Sequence, residues 1–290
     1  MALNIQTLRT RALTAVVFVV IMLGGLLLNH WTFFLLLSVI HFGCWFEYQK
    51  LTGLIDPEYA GITPFHKYGV MITGWCLMLA FTNDAFRIGS VSLGSIGWWL
   101  ALISLFILPV IELLFTREIS ARNIGFSFLG LLYISLSWAL MTDLGNPELA
   151  YKVNAPVPGR YLPVLPLLTI SSIWINDTMA YIVGSLIGKT PFSSISPKKT
   201  WEGTAGGAVL CVAVITLALH TRMPWQHLLA ITAICAVVGT AGDLLESKLK
   251  RMAGVKDSGH IMPGHGGFLD RFDSLLLATP FVWLYVRVIA

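Results

Sequence analysis

Residues 92–115 read SLGSIGWWLALISLFILPVIELLF, 24 positions with one charged side chain, Glu112. A helix rising 1.5 Å per residue needs about 20 predominantly apolar residues to cross the hydrocarbon core of a bilayer. Within that core every backbone N–H and C=O must pair inside its own segment, so an isolated apolar run of this length reads as a helix. The same reading extends in both directions. Apolar runs recur near 12–29, 31–47, 68–82, 124–142, 162–187, 204–220, 226–246 and 274–289. With 92–115 that makes nine. The fold expected is all-α: a polytopic integral membrane protein of about nine transmembrane helices.

The composition agrees. Of 290 residues, 56% are hydrophobic and 12% charged, and the mean hydropathy is +0.76, which excludes an ordinary soluble domain. The start, MALNIQTLRTR, has the character of a signal-peptide n-region, but no small-residue cleavage site separates the first apolar run from the second. It is expected to be a first transmembrane helix. Cys44, Cys76, Cys211 and Cys235 all lie inside apolar runs and form no C-x-x-C pair, so buried thiols are expected and no cysteine metal site.

Charge in the connections sets an orientation. With the N-terminus inside and nine alternating helices, fourteen cations fall inside: Arg9, Arg11, Lys50, Lys67, Arg117, Arg122, Lys189, Lys198, Lys199, Lys248, Lys250, Arg251, Lys256 and Arg271. Five fall outside: Arg87, Lys152, Arg160, Arg222 and Arg287. Cytoplasmic loops carry the Lys/Arg excess, so the N-terminus is placed in the cytoplasm. The loops 188–203 and 247–273 then share the cytoplasmic side, and an active-site cavity open to the cytoplasm is expected between helix ends. No loop is long enough to hold a core of its own. Residues 1–290 are read as one membrane domain, with 1–160 as helices of open role and 161–290 as the catalytic helices and loops.

Chemistry concentrates in residues 247–273, SKLKRMAGVKDSGHIMPGHGGFLDRFD. Ionisable groups at a membrane boundary are costly unless paired, hydrated or used. Asp243 and Glu246 end one apolar run three residues apart, and Asp270 and Asp273 repeat that spacing at the start of the next. Such pairs share a helix face, and oxygen ligands of this kind suit magnesium completed by water and phosphate. A lone carboxylate there could equally cap a helix. Gly264, Gly266 and Gly267 let backbone approach a ligand, and the helix start after them suits phosphate. His265 could donate to a phosphate or move a proton, and Arg271 could grip an anion in bidentate fashion. Ser247, Lys250, Arg251 and Lys256 share this loop and are candidates for holding a polyphosphate. Lys248 reads as a topology or headgroup contact.

A second constellation lies upstream. Asp177 sits about ten residues inside an apolar run, hence a default functional candidate. Gly184 and Gly188 form a small-x-x-x-small face, read as a helix seam and compatible with a homodimer. Ser196, Lys198, Lys199 and Thr200 follow in a short polar loop, with Glu202 placed to complete a helix cap; no P-loop pattern is present. Elsewhere, Glu112 reads as a snorkelling carboxylate, and His41 and Glu47 as partners within the bundle.

The run Ser247-x-Leu249-Lys250-Arg251, then Lys256-Asp257, then His265-Gly266-Gly267-Phe268-x-Asp270-Arg271-Phe272-Asp273 resembles the signature of the phosphatidate cytidylyltransferases (CDP-diacylglycerol synthases). The stretch from Asp177 to Gly203, with its S-P-K-K-T-W-E-G, is similar to that family too. The resemblance covers roughly 165–275. It implies transfer of a cytidylyl group from CTP to phosphatidic acid, giving CDP-diacylglycerol and pyrophosphate in phospholipid biosynthesis. Magnesium is implied as cofactor, with a second cation an open option. Asp243, Asp270, Asp273 and Asp177 are the expected metal ligands, and Asp243, Asp270, Asp273 and His265 the expected catalytic set. Phosphate binding is expected from Ser196, Lys198, Lys199, Thr200, Ser247, Lys250, Arg251, Lys256, Gly266, Gly267 and Arg271. The expected location is a bacterial cytoplasmic (inner) membrane, and no nucleic-acid partner is expected. Two rivals stand beside this reading: a CTP-dependent lipid (polyprenol) kinase, which would use the same phosphate groups, and, as the weaker one, an ion-coupled transporter.

Overall fold

The computed structural model describes residues 5–115, 120–157, 161–259 and 266–290. Helices make up almost all of its regular structure. The only sheet among the described residues is a hairpin of β1 (Arg87–Ile88) and β2 (Val91–Ser92), paired Arg87 to Ser92 and turning at Gly89 with φ of +63°. This is an all-α membrane protein.

Among the described residues six helices are long and apolar enough to cross a bilayer, against the nine crossings expected. They are α2 (His30–Ile55), α5 (Leu93–Phe115), the run of α6 (Ala121–Gly130) through α7 (Ser137–Leu144), α10 (Trp201–Leu219), α11 (Trp225–Met252) and α12 (Leu269–Leu284) with its π-helical continuation to Ile289. The other three expected segments are helical but are not among these six. In α1 (Ile5–Leu27) the apolar stretch with described side chains is Leu13–Leu27, and α4 (Pro64–Ala80) has 17 residues. The 24-residue α9 (Val164–Ile187) carries Asn176 and Asp177 at its centre. Two short helices, α3 (Pro57–Ala60) and α8 (Pro147–Lys152), complete the set.

The chain divides into two compact units, Met1–Thr142 with Met252–Arg271, and Asp143–Arg251 with Phe272–Ala290. In the first, α2 is the buried element. Asn29 and Thr32 form a reciprocal capping box that starts it, and Phe33, Leu37, Cys44 and Trp45 are all but inaccessible. Trp45 lies where a Cβ on Gly130 would come within 2.5 Å of its ring, so only glycine leaves room there. Its indole Nε1 donates to Ser135 Oγ at 2.8 Å, and His41 Nε2 meets the same hydroxyl at 3.0 Å. His41 therefore pairs with Ser135 and not with Glu47, correcting the expectation from their spacing. α4 and α5 lie side by side, brought close at Gly97. A π-helical stretch, Leu131–Leu136, joins α6 to α7.

In the second unit α9 and α10 form a close pair. A Cβ at Gly207 would sit 2.7 Å from the backbone of Ala180, and one at Gly203 2.9 Å from Cα of Gly184. The small-residue face read from Gly184 is thus a packing seam within the chain. Hydroxyls on the apolar helices bond back one turn, as Thr169 does to Leu165 O and Ser172 to Leu168 O. All four cysteines are free and buried, as expected.

Candidate active site

Glycine spacing brings α9 and α10 together, and their facing ends, closed by a tight loop, build the polar cavity of the second unit. Thr200 Oγ1 caps α10 by accepting from Gly203 N at 3.1 Å. Glu202 does not complete that cap as expected. Its carboxylate turns back and accepts from Lys189 N, Thr190 N and Thr190 Oγ1 at 2.8–3.3 Å. Phe192 N to Lys199 O and Trp201 N to Thr190 O close the loop into a narrow hairpin, with the rings of Phe192 and Trp201 4.5 Å apart. Residues 196–200 are thereby presented at the N-terminus of α10.

The cavity measures about 510 Å³ and is lined by Asp177, Lys198, Lys199, Thr200, Thr204 and Asp243 among others. Ser196 lines it too. So four of the residues expected to grip phosphate, and two of the expected metal ligands, share one hollow. Lys199 Nζ is in ion-pair contact with Asp243 Oδ2, whose other oxygen accepts from Ser247 Oγ at 3.2 Å. Asn176 Nδ2 lies 3.4 Å from Asp177 Oδ1. Asp273, nearly buried, is within electrostatic reach of both Asp243 and Asp177, with Lys250 as the opposing cation. Lys250 is fixed by the fully buried Glu246 one turn earlier on α11, at 2.5 Å. Arg251 and Lys248 are exposed on the same helix end.

No three His, Cys, Asp or Glu side chains among the described residues converge as a preformed metal cage. Magnesium does not require one: it keeps several waters and is commonly held by one or two carboxylates plus substrate phosphates. Asp177 and Asp243 on one polar cavity, beside two lysines, fit that pattern.

The rest of the signature lies in the first unit. There Asp270 Oδ2 accepts from Ser258 N at 2.9 Å, Ser258 Oγ at 2.9 Å and Gly267 N at 2.8 Å. Gly266 has φ of +79°, and a Cβ on it would come within 2.6 Å of the same oxygen. A second carboxylate completes the anchor. Glu47 of α2 accepts from Phe268 N at 2.9 Å, Leu269 N at 2.8 Å and Ser258 Oγ at 2.7 Å, and is 5% exposed. Those amides open α12, so Glu47 caps that helix from a distant part of the chain. Phe268 itself enters the space above Gly43, where a Cβ would clash at 2.2 Å. Lys256 is exposed and borders a small hollow with Lys50, Asp257 and Ser258. Arg271 is exposed, its N–H bonded to Phe268 O. His265 lies outside the described residues.

Ser258 carries no signal in the sequence, and Glu47 reads there only as a bundle partner of His41. The signal for Glu47 was present, since a carboxylate inside an apolar run is a functional candidate by default. Its pairing was misassigned to His41, the nearer polar group in sequence.

Membrane helices, a cation-lined polar cavity and carboxylates beside it define an integral membrane enzyme that handles phosphate. Residues 9–289 match the model of the cytidylyltransferase family. Over 287 residues the chain is 31% identical to the phosphatidate cytidylyltransferase of Bacillus subtilis, covering 98% of this chain and 97% of that one. The phosphatidate cytidylyltransferase of Staphylococcus saprophyticus is 35% identical over 180 residues, 60% of this chain and 64% of that protein. Phosphatidate cytidylyltransferase 5 of the Arabidopsis thaliana chloroplast is 44% identical over 126 residues, 42% of this chain and 31% of the plant protein. The chain belongs to the cytidylyltransferase family and is a nucleotidyltransferase.

Proposed function

We propose that this enzyme transfers the cytidylyl group of CTP to phosphatidic acid, forming CDP-diacylglycerol and pyrophosphate for phospholipid synthesis. The observation that carries the proposal is the cavity in which Lys198, Lys199, Thr200, Asp177 and Asp243 meet. The relatives' names supply the acceptor lipid, and the signature at 247–273 supports the same assignment.

A lipid phosphate oxygen attacks the α-phosphorus of CTP, the new P–O bond forms, and the bond to the β-phosphate oxygen breaks. The lipid phosphate monoester is already anionic near neutral pH, so no strong protein base is required. The protein's task is neutralisation and positioning. Lys198 and Lys199 take triphosphate charge, and the start of α10 offers its dipole to an anion. Lys199 exchanges Asp243 for a phosphate oxygen as substrate enters, which frees Asp243. Glu246 holds Lys250 so that its ammonium stays near Asp273. Asp177 and Asp243, with Asp273 beside them, would hold magnesium, which when bound neutralises phosphate charge. Asp270 orders the signature loop through Ser258 and Gly267.

We place the enzyme in a bacterial cytoplasmic membrane with its N-terminus and cavity on the cytoplasmic side, where CTP is available. α1, α4 and α9 would complete nine crossings. The deciding experiment supplies purified enzyme in phosphatidic acid vesicles with CTP labelled either on cytosine or on the γ-phosphate. Cytosine label in the lipid is the expected result. γ-Phosphate in the lipid would instead mean a lipid kinase, and uptake into sealed vesicles without CTP a transporter.

A further inference from the structure

The first unit holds a second chemical constellation, away from the signature loop in sequence and unused by cytidylyl transfer. Ser127 of α6 places Oγ 2.7 Å from His66 Nε2, and His66 Nδ1 lies 3.1 Å from Glu112 Oε1. A carboxylate oxygen accepts, so the tautomer that suits this geometry carries its proton on Nδ1 toward Glu112 and leaves Nε2 as the acceptor. The serine hydroxyl therefore donates to His66. Nucleophile, base and orienting carboxylate stand in the order and at the separations that activate a serine.

Three further observations point to a substrate. All three residues line one cavity of about 260 Å³, whose other walls are apolar apart from Thr73: Val70, Leu105, Leu108 and Phe128 among them. Ligand pockets usually run from about 300 to 1,000 Å³, so this one suits a single chain rather than a whole diacyl lipid. The depth is also right for an ester. His66 lies in the first turn of α4, Glu112 three residues before the end of α5, and Ser127 in the second turn of α6. Lys67 and Arg122 sit in the same first turns, as cations do at a membrane boundary. Lipid ester carbonyls occupy that boundary, and water reaches it. Finally, the buried Tyr59 hydroxyl lies 3.2 Å from Ser127 Oγ. Burial keeps its phenol pKa above the ordinary range, so it remains a donor able to meet a developing oxyanion.

We propose that Ser127, His66 and Glu112 form a second catalytic site, one that accepts the acyl group of a lipid ester at the membrane interface. Ser127 Oγ bonds to the ester carbonyl carbon while its proton passes to His66 Nε2. The ester C–O bond breaks, and the leaving alcohol takes that proton. Water then attacks the acyl-serine by the same route in reverse, releasing the fatty acid and restoring the hydroxyl.

The test treats the purified full-length enzyme in detergent micelles with an alkyl fluorophosphonate and maps the adduct by peptide mass spectrometry. A single adduct on Ser127 is expected. It should vanish in Ser127→Ala and form roughly 100-fold more slowly in His66→Gln, the span expected for loss of a general base. Ser127→Ala should keep normal cytidylyl transfer, which shows that the variant is folded and that the two activities are separate. A p-nitrophenyl ester of a medium-chain fatty acid should be hydrolysed by the wild type and not by Ser127→Ala. Two results overturn the proposal: no adduct on Ser127 at saturating probe in enzyme that still transfers cytidylyl groups, or an unchanged labelling rate in a folded His66→Gln variant.

Discussion

Glu47 and Ser258 are 211 residues apart in the chain, and a 2.7 Å hydrogen bond from Ser258 Oγ to Glu47 Oε2 joins them. The same carboxylate accepts the two amides that open α12. Glycines at 259 and 267 leave just enough space, since a Cβ at either would lie within 2.2 Å of Glu47 Oε1. An N-terminal helix thus fixes the loop that carries the family signature. That gives α2, in the N-terminal half whose role the sequence leaves open, a part in holding the loop.

Glu47→Gln tests this directly. The amide keeps one acceptor oxygen but turns an NH2 group toward donors that need acceptors. Leaving a buried donor unmet costs about 1–3 kcal/mol, and a misplaced catalytic loop can cost roughly 100-fold in rate. The expected outcome is a large fall in kcat with detergent-solubilised protein still monodisperse and α-helical by circular dichroism. Glu47→Asp, which keeps the charge but shortens the reach, should recover part of the loss. Equal activity in all three proteins would remove Glu47 from the account.

The Lys199–Asp243 contact predicts a split between substrate and metal effects. Lys199→Ala removes a charge-assisted phosphate contact worth about 1.5–3 kcal/mol, so kcat/KM for CTP should fall roughly 10- to 100-fold. Asp243→Asn should instead raise the magnesium concentration needed for half-maximal rate, and EDTA should abolish turnover in the parent enzyme. A titration of rate against magnesium at fixed CTP checks both. If Asp243→Asn left the magnesium requirement unchanged, Asp243 would not be a metal ligand.

Asp270 and Lys248 make a contrasting pair on the signature. Asp270→Asn weakens acceptance from Ser258 and Gly267 where the loop is tightest, so turnover should be lost. Lys248 is exposed on α11, and Lys248→Ala should leave the rate within about twofold, as exposed cations contribute little on their own. Rates on mixed micelles of phosphatidic acid measure both. A mild Asp270→Asn phenotype would detach the loop from catalysis.

What the sequence disclosed and what it hid divide along physical lines. Apolar length is a local property, so α5 and α10 were legible as helices directly, and the grouping of Asp177, Lys198, Lys199 and Asp243 followed from polar residues in costly places. Partner choice is not local. His41 found Ser135, and Glu47 found Ser258, because packing of distant helices decides which polar group is within reach. The same holds for Glu202, whose spacing suggested a cap but whose side chain ties down Lys189 and Thr190. Length alone also does not fix the crossings: α4 is helical with 17 residues, and the continuous α9 carries at its centre the polar pair that lines the cavity.

The glycine seam of the second unit yields a prediction about stability that is separate from chemistry. Gly207 faces the backbone of Ala180, with room for hydrogen only, whereas Gly206 faces the side chain of Val183. Backbone cannot move aside as a flexible side chain can. Gly207→Val would force α9 and α10 apart, at about 1–3 kcal/mol for overpacking a close contact. Because residues 198–200 are presented by the loop between these helices, the cavity should widen as the helices separate. The expected result is a lower thermal midpoint in detergent together with a raised KM for CTP. Gly24, by contrast, has open space around it, so Gly24→Ala should change neither quantity. A Gly207→Val protein with unaltered melting and unaltered KM would show that the close approach of α9 and α10 is not what shapes the cavity.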